Sequence, residues 1–189
     1  MDNKLLASKC LKGDQKACKE LYDSYAPSMM AVCQRYCKSQ EQAEDCLQDG
    51  FIKVFVHLES WNASGDLGAW IRRIIVNTCL SSLKNAKAQW VNFEDEVVMA
   101  VSVECDAVSR LGFQELEELL LKMPIGYRTV FNLHVIEGYG YDEIATMLQI
   151  TESTCRSQMH KAKNCLAKKI TELQPEVKYA VWQTIGWIL

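Results

Sequence analysis

Apolar residues recur along most of this chain in steps of three and four. From Ala43 they fall at Leu47, Phe51, Val54, Phe55 and Leu58, the spacing that lines one face of a helix. A second stripe runs through Ile71, Ile74, Ile75, Cys79, Leu80 and Leu83, and an earlier one through Leu21, Tyr25, Met29, Val32, Cys33 and Tyr36. Phe113, Leu116, Leu119, Leu120 and Met123 predict a further helix that Pro124 ends, and another is predicted over about 127–136, closed by Glu137-Gly138. Convincing period-two alternation is lacking, and only Val97–Val103 reads as strand-like. The pattern predicts an all-α protein.

Two breaks divide it. Ser60-Trp61-Asn62-Ala63-Ser64-Gly65-Asp66 is a turn-rich loop between two strong helices. Residues 86–110 lose the helical period and gain acid, at Glu94, Asp95, Glu96, Glu104 and Asp106. The predicted organisation is two small helical domains, 1–85 and 111–173, joined by an acidic linker over 86–110. An apolar extension, 174–189, follows. In it Pro175 can open a helix with Val177, Val181, Trp182, Ile185, Ile188 and Leu189 on one broad face. It is too short to span a bilayer.

Charge sharpens this division. The 189 residues carry 21 Lys and Arg against 24 Asp and Glu, a net charge of −3, which at first sight disfavours a nucleic-acid binder. The charge is uneven, however. Residues 1–85 hold 11 basic and 10 acidic groups, residues 86–125 hold 3 and 8, and residues 126–189 hold 7 and 6. The acidity is therefore concentrated in and beside the linker.

Tyr141–Leu148 reads as a short helix, Gln149-Ile150-Thr151 as a three-residue turn, and the segment from Thr151 to Ile170 as a longer helix. This is helix-turn-helix spacing, with Thr151 able to cap the second helix. On a wheel of 100° per residue, Cys155, Met159, Ala162, Leu166 and Ile170 share one face. Ser153, Arg156, Ser157, His160 and Asn164 lie nearly opposite, with Lys161 beside them. That second helix has Arg156, Lys161, Lys163, Lys168 and Lys169 against Glu152 alone. Arg can grip guanine through two hydrogen bonds, Ser and Asn can reach base edges and Lys can pair phosphates. A solvated basic face on an ordinary helical hairpin is the plainer alternative.

The other chemistry is sparse. The nine cysteines are scattered and form no CxxC pair, although Cys33 and Cys37 are four apart and could share a helix face. The simplest reading is reduced, buried thiols in a cytoplasmic protein, with no metal site and no cofactor. His57, His134 and His160 have no acid or nucleophile at a recognisable spacing, and no Gly-rich phosphate loop occurs. An enzyme is not expected, nor a small-molecule substrate.

Tyr141-Asp142-Glu143-Ile144-Ala145, with Ser153-Thr154-Cys155-Arg156-Ser157-Gln158-Met159-His160-Lys161-Ala162, resembles the promoter-reading helix-turn-helix of the extracytoplasmic-function (ECF) sigma factors. Ala43-Glu44-Asp45-Cys46-Leu47-Gln48-Asp49-Gly50-Phe51 is similar to that family's polymerase-binding helix. Trp70-Ile71-Arg72-Arg73-Ile74-Ile75-Val76-Asn77 is similar to its minus-ten-element helix. The resemblance covers most of residues 5–173. It implies a bacterial sigma factor that binds core RNA polymerase, recognises minus-ten and minus-thirty-five elements and promotes DNA opening.

The resemblance also assigns roles. Asp45, Gln48, Asp49 and Phe51 would bind the clamp of the polymerase's largest subunit, with Leu47, Phe51, Val54 and Phe55 turned to the core; the flap region is a second expected contact on polymerase. Trp61, Asn62, Ser64, Asp66, Trp70, Arg72, Arg73 and Asn77 would hold the minus-ten element, some of them around an unstacked base. Ser153, Thr154, Arg156, Ser157, His160, Lys161 and Asn164 would read the minus-thirty-five element. The acidic linker would occupy a basic nucleic-acid channel of polymerase until RNA displaces it, and an anti-sigma factor is a possible partner, including for residues 174–189. Departures from the family pattern are Gln149 and Ser153 where Gly is usual, Cys155 for an aliphatic, and Gln158 and Lys161 for arginines. They leave the turn conformation open. The segment from Thr78 to Lys84 also lacks the usual acid and arginine cluster. The alternative function is a stand-alone helix-turn-helix regulator. The Asp45-Gln48-Asp49 face and the Trp61–Trp70 segment would have no role in it.

Overall fold

The computed structural model describes residues 3–63, 65–85 and 119–173. The linker acids, the Val97–Val103 run, Ser64, Phe113, Leu116 and the 174–189 extension lie outside the described residues. The chain divides into two units, Met1–Ala86 and Lys87–Leu189, and every described element is helical or turn.

In the first unit α1 (Asn3–Leu11) leads into α2 (Gln15–Tyr36), α3 (Gln40–His57) and α4 (Leu67–Asn85), with a 3-10 turn at Leu58–Ser60. Sequence sets each junction. α1 ends in a left-handed residue, Gly13 (φ +81°), with the Asp14 N–H donating to the Lys9 carbonyl and the Gly13 N–H to that of Cys10, a Schellman closure. Asp14 then caps α2, accepting from the N–H groups of Lys16 and Ala17. Ser39 caps α3 by accepting from the Gln42 N–H.

α2, α3 and α4 pack against one another around Leu21, Val32, Tyr36, Leu47, Phe51, Val54, Ile71 and Ile75, all 5% exposed or less. Each of these side chains contributes about 1.5–3 kcal/mol by leaving water. Phe51 meets Tyr22 edge to face at 4.7 Å between centroids. α3 packs on α4 at Gly50, where a Cβ would collide with Ile75 Cδ1. That contact explains a glycine inside a helix, where it otherwise costs about 1 kcal/mol.

In the second unit residues 119–121 are helical, followed by α5 (Ile125–Phe131), α6 (Tyr141–Leu148) and α7 (Glu152–Leu173). α5 and α6 both pack on α7. α5 widens into a π turn over Asn132–Ile136, closed by the Glu137 N–H on the Asn132 carbonyl and by Gly138 at φ +79°. Leu133, Ile144, Cys155, Met159, Leu166 and Ile170 form the core. Arg128 is 4% exposed and donates through Nη1 to the Leu121 carbonyl, tying the end of the preceding helix to α5. Among the described residues no helix is long and apolar enough to cross a membrane.

Candidate functional site

α3 presents a continuous outward strip. Asp45, Gln48 and Asp49 are exposed, as the helical spacing predicts. The strip runs on through Ile52 and Val56, which are 61% and 69% exposed. These five residues lie within about 100° of helix surface, opposite Ala43, Leu47, Phe51 and Val54. An exposed isoleucine and valine next to two carboxylates form an apolar centre with a charged border, the usual anatomy of a protein-docking patch. Sequence reasoning missed Ile52 and Val56, although completing the same helical wheel places them beside Asp45 and Asp49. Phe51 is corrected: at 2% exposure, against Tyr22 and Phe55, it supports the strip from inside and does not belong to its surface.

The pole of the first unit is formed by the loop after α3 and the start of α4. Asn62 is exposed, Trp61 and Trp70 are half-buried, and the Trp61 indole Nε1 is buried without a hydrogen-bond partner. Asp66, expected to face a base, is exposed and caps α4. Its Oδ1 accepts the Gly68 N–H at 2.7 Å and its carbonyl accepts the Trp70 N–H. The Asp66 charge, second to burial, raises the Tyr25 hydroxyl pKa above its ordinary value. Trp70, Arg73 and Asn77 share the outward face of α4, with Arg73 and Asn77 exposed. Arg72 sits about 100° further round, towards the packed side, and is half-buried.

The helix-turn-helix is closed by an uncommon residue. Gln149 adopts the left-handed conformation (φ 58°, ψ 44°) usually given to glycine, and the Ile150 N–H donates to the Ala145 carbonyl. The Gly140 N–H donates to the Glu143 carboxylate at the start of α6. Thr151 caps α7, its Oγ1 accepting the Thr154 N–H at 3.1 Å and lying 2.9 Å from the Thr154 hydroxyl. Thr154 is therefore half-buried in the cap. Ser153, at a usual glycine position, is exposed in the first turn. Cys155 takes the aliphatic position with no exposure. Gln158 turns inward, its amide beside Gly126 of α5.

Arg156 is exposed and held from two sides. Its Nη2 is 3.3 Å from Glu152 Oε2, and its guanidinium lies over the Tyr141 ring, 4.6 Å from the centroid. Tyr141 in turn stacks on His134 at 4.3 Å and 22° between planes, and His134 Nδ1 is 2.8 Å from the Tyr139 carbonyl. Burial pushes the Tyr141 hydroxyl pKa up while Arg156 pulls it down. The column His134–Tyr141–Arg156 joins the end of α5 to the reading helix, and sequence reasoning did not find it because its members are far apart in the chain.

Ser157 and His160 are exposed on the same side, and Lys161 leans over Tyr127, 5.9 Å from its centroid. Asn164 is corrected: it is 5% exposed, with Nδ2 3.1 Å from His160 Nε2. A single wheel treats α7 as having one outward face throughout. In the fold that face is buried at Asn164 and at Ala167, which has no exposure. The available surface is Ser153, Arg156, Ser157, His160 and the edge of Lys161.

Comparison with known proteins agrees with both units. The model of sigma-70 region 2 matches residues 21–89 and that of sigma-70 region 4 matches residues 113–166, together well over half the chain. The chain is 26% identical over 174 residues to the ECF RNA polymerase sigma factor SigW of Bacillus subtilis, covering 86% of this chain and 93% of that one. It is 24% identical over 185 residues to the ECF RNA polymerase sigma-E factor of Escherichia coli, covering 92% and 96%. Among solved structures, CnrH in complex with the cytosolic domain of CnrY has a similar fold, with a TM-score of 0.50 at 19% identity over 90% of this chain and 97% of that one. So has RpoE in complex with the anti-sigma factor NepR from Bartonella quintana, with a TM-score of 0.50 at 19% identity over 82% and 97%. A region 2 match excludes a stand-alone helix-turn-helix regulator as the better reading. With both sigma-70 regions present in order, on two helical units, the chain belongs to the ECF group of RNA polymerase sigma factors.

Proposed function

We propose that this sigma factor divides its work among three surfaces on the two units. The α3 strip of Asp45, Gln48, Asp49, Ile52 and Val56 docks on the clamp of core polymerase. The loop after α3, with Trp61 and Asn62, and the α4 face of Trp70, Arg73 and Asn77 hold the minus-ten element as it opens. The α7 surface of Ser153, Arg156, Ser157, His160 and Lys161 reads the minus-thirty-five element, with the flap region as the nearby polymerase contact. The protein acts in the cytoplasm by binding and not by catalysis.

The observation that carries this reading is the pairing of an exposed apolar-acidic strip on one unit with a pre-oriented arginine on the reading helix of the other. Two structural relatives are complexes, one of them with an anti-sigma factor. A protein of that kind is a proposed partner here too. The domain limits 1–85 and 111–173, with an acidic linker over 86–110 set in the polymerase channel, complete the proposal.

Transcription from genomic DNA with purified core polymerase and this protein tests it. Promoter-specific transcripts are expected. They should vanish with Arg156→Ala while core binding persists. Absence of any specific transcript with wild-type protein would overturn the reading.

A further inference from the structure

Four of the cysteines that look scattered in sequence converge inside the first unit. Cys33 lies in the last turn of α2 and Cys37 just beyond it; Cys46 is on α3 and Cys79 on α4. Their exposures are 0%, 4%, 3% and 1%. The sulfurs of Cys37, Cys46 and Cys79 all lie within 4.8 Å of one another, with Cys37 and Cys46 at 3.7 Å. Cys33 neighbours Cys79 but falls outside that mutual 4.8 Å group. The geometry points to a binding site for a thiophilic closed-shell cation, Zn²⁺ or Cu⁺, with Cys37, Cys46 and Cys79 as ligands.

Distance supports a metal over a disulfide. In a tetrahedral thiolate site with metal–sulfur bonds of about 2.3 Å, the sulfurs stand about 3.8 Å apart. Cys37 and Cys46 already stand at about that separation, and their distances to Cys79, within 4.8 Å, need to close by at most about 1 Å. A disulfide would use two sulfurs at about 2.05 Å and leave the third unsatisfied. Thiolate donors select Zn²⁺ and Cu⁺ over harder cations.

The surroundings are those of a thiolate site. The Cys37 thiol, 3.7 Å from Cys46 Sγ, also lies 3.6 Å from the Gln42 carbonyl at the start of α3. Lys53 is anchored on Thr78 Oγ1 at 3.2 Å, one residue from Cys79. Held beside the ligand-bearing turn of α4, its ammonium would help offset the negative charge of a bound thiolate cluster. Simple packing of small apolar side chains requires neither the convergence of thiols from three helices nor these donors. A bound cation would join the helix carrying the polymerase strip to the helix carrying Arg73 and Asn77.

The test uses the full chain, purified anaerobically with a reductant. Co²⁺ titration reads thiolate-to-metal charge-transfer absorption. Zn²⁺ and Cu⁺ are then titrated against chromophoric competitors, which tells the two cations apart. The expected result is about one equivalent bound, with a rise in melting temperature. Binding should fall in Cys46→Ser and Cys79→Ser by more than the ~10–100-fold typical of disturbing a ligand's supporting contacts. It should persist in Cys155→Ser, whose thiol lies in the second unit. Cys46→Ala, with helical content checked by circular dichroism, serves if the serine variants fail to fold. Absence of charge-transfer absorption and of stoichiometric binding in wild type would overturn the proposal, as would undiminished binding in folded Cys46 and Cys79 variants. A Cys37–Cys46 disulfide in protein that, once reduced, binds none of the three cations would also overturn it.

Discussion

Gln149 holds the turn between α6 and α7 in the left-handed region, where a non-glycine residue carries a penalty of roughly 1–2 kcal/mol. Gln149→Gly removes that penalty and returns part of it as unfolded-chain entropy. A net gain of about 0.5–1 kcal/mol is expected, read as a raised denaturation midpoint for the second unit. Gln149→Val should lower it, because a β-branched side chain fits this region worst. Arg156 gives a second residue-level expectation. The Tyr141 ring beneath it contributes about 0.5–1 kcal/mol at an exposed site, so Tyr141→Leu should weaken promoter recognition by holoenzyme roughly two- to fivefold. That is less than the effect of Arg156→Ala, and core binding should be unchanged. Residue types and spacing made Arg156, Ser157 and Thr151 legible in advance. The burial of Asn164 and the capping role of Asp66 were not, because both depend on what packs around a side chain.

α3 shows how one helix serves two surfaces. Its inner face meets α4 at Gly50. Gly50→Val is expected to destabilise by about 1–3 kcal/mol through overpacking, measured by chemical denaturation. Its outer face should behave in the opposite way. Ile52→Glu with Val56→Glu should leave the denaturation midpoint nearly unchanged, since both residues are exposed. The same pair should weaken core polymerase binding strongly by placing charge in an apolar contact. Asp45→Ala with Asp49→Ala should act mainly on association rate and its salt dependence. An unchanged core pull-down with both double variants would remove the strip from the interface. The helical period identified the inner face at once, because burial repeats with the helix. Ile52 and Val56 conform to the same period but lie outside the main stripe, and only the packed neighbours of α3 show which side is left uncovered.

At the scale of the molecule, the net charge of −3 describes none of the working parts. Under the proposed function each unit carries a modest surface for DNA, and a tethered pair of weak sites gains little until a partner holds them at the right spacing. The isolated protein should therefore bind specific promoter duplex weakly, and holoenzyme tightly, in a mobility-shift titration. Tight specific binding by the free chain would argue against this division of labour. The sequence by itself determined the all-α class, the helix-turn-helix and the order of the two sigma-70 regions. The class and the helix-turn-helix rest on local periodicity, caps and turn residues, which are written in neighbouring positions; the order of the regions rests on the resemblance of their motifs to the family's. Tertiary structure alone decided that Asn164 is interior, that His134, Tyr141 and Arg156 form one column, and that the Cys37, Cys46 and Cys79 sulfurs meet. Each of those facts depends on which distant segments come together, and spacing along a chain carries no information about contacts made across it.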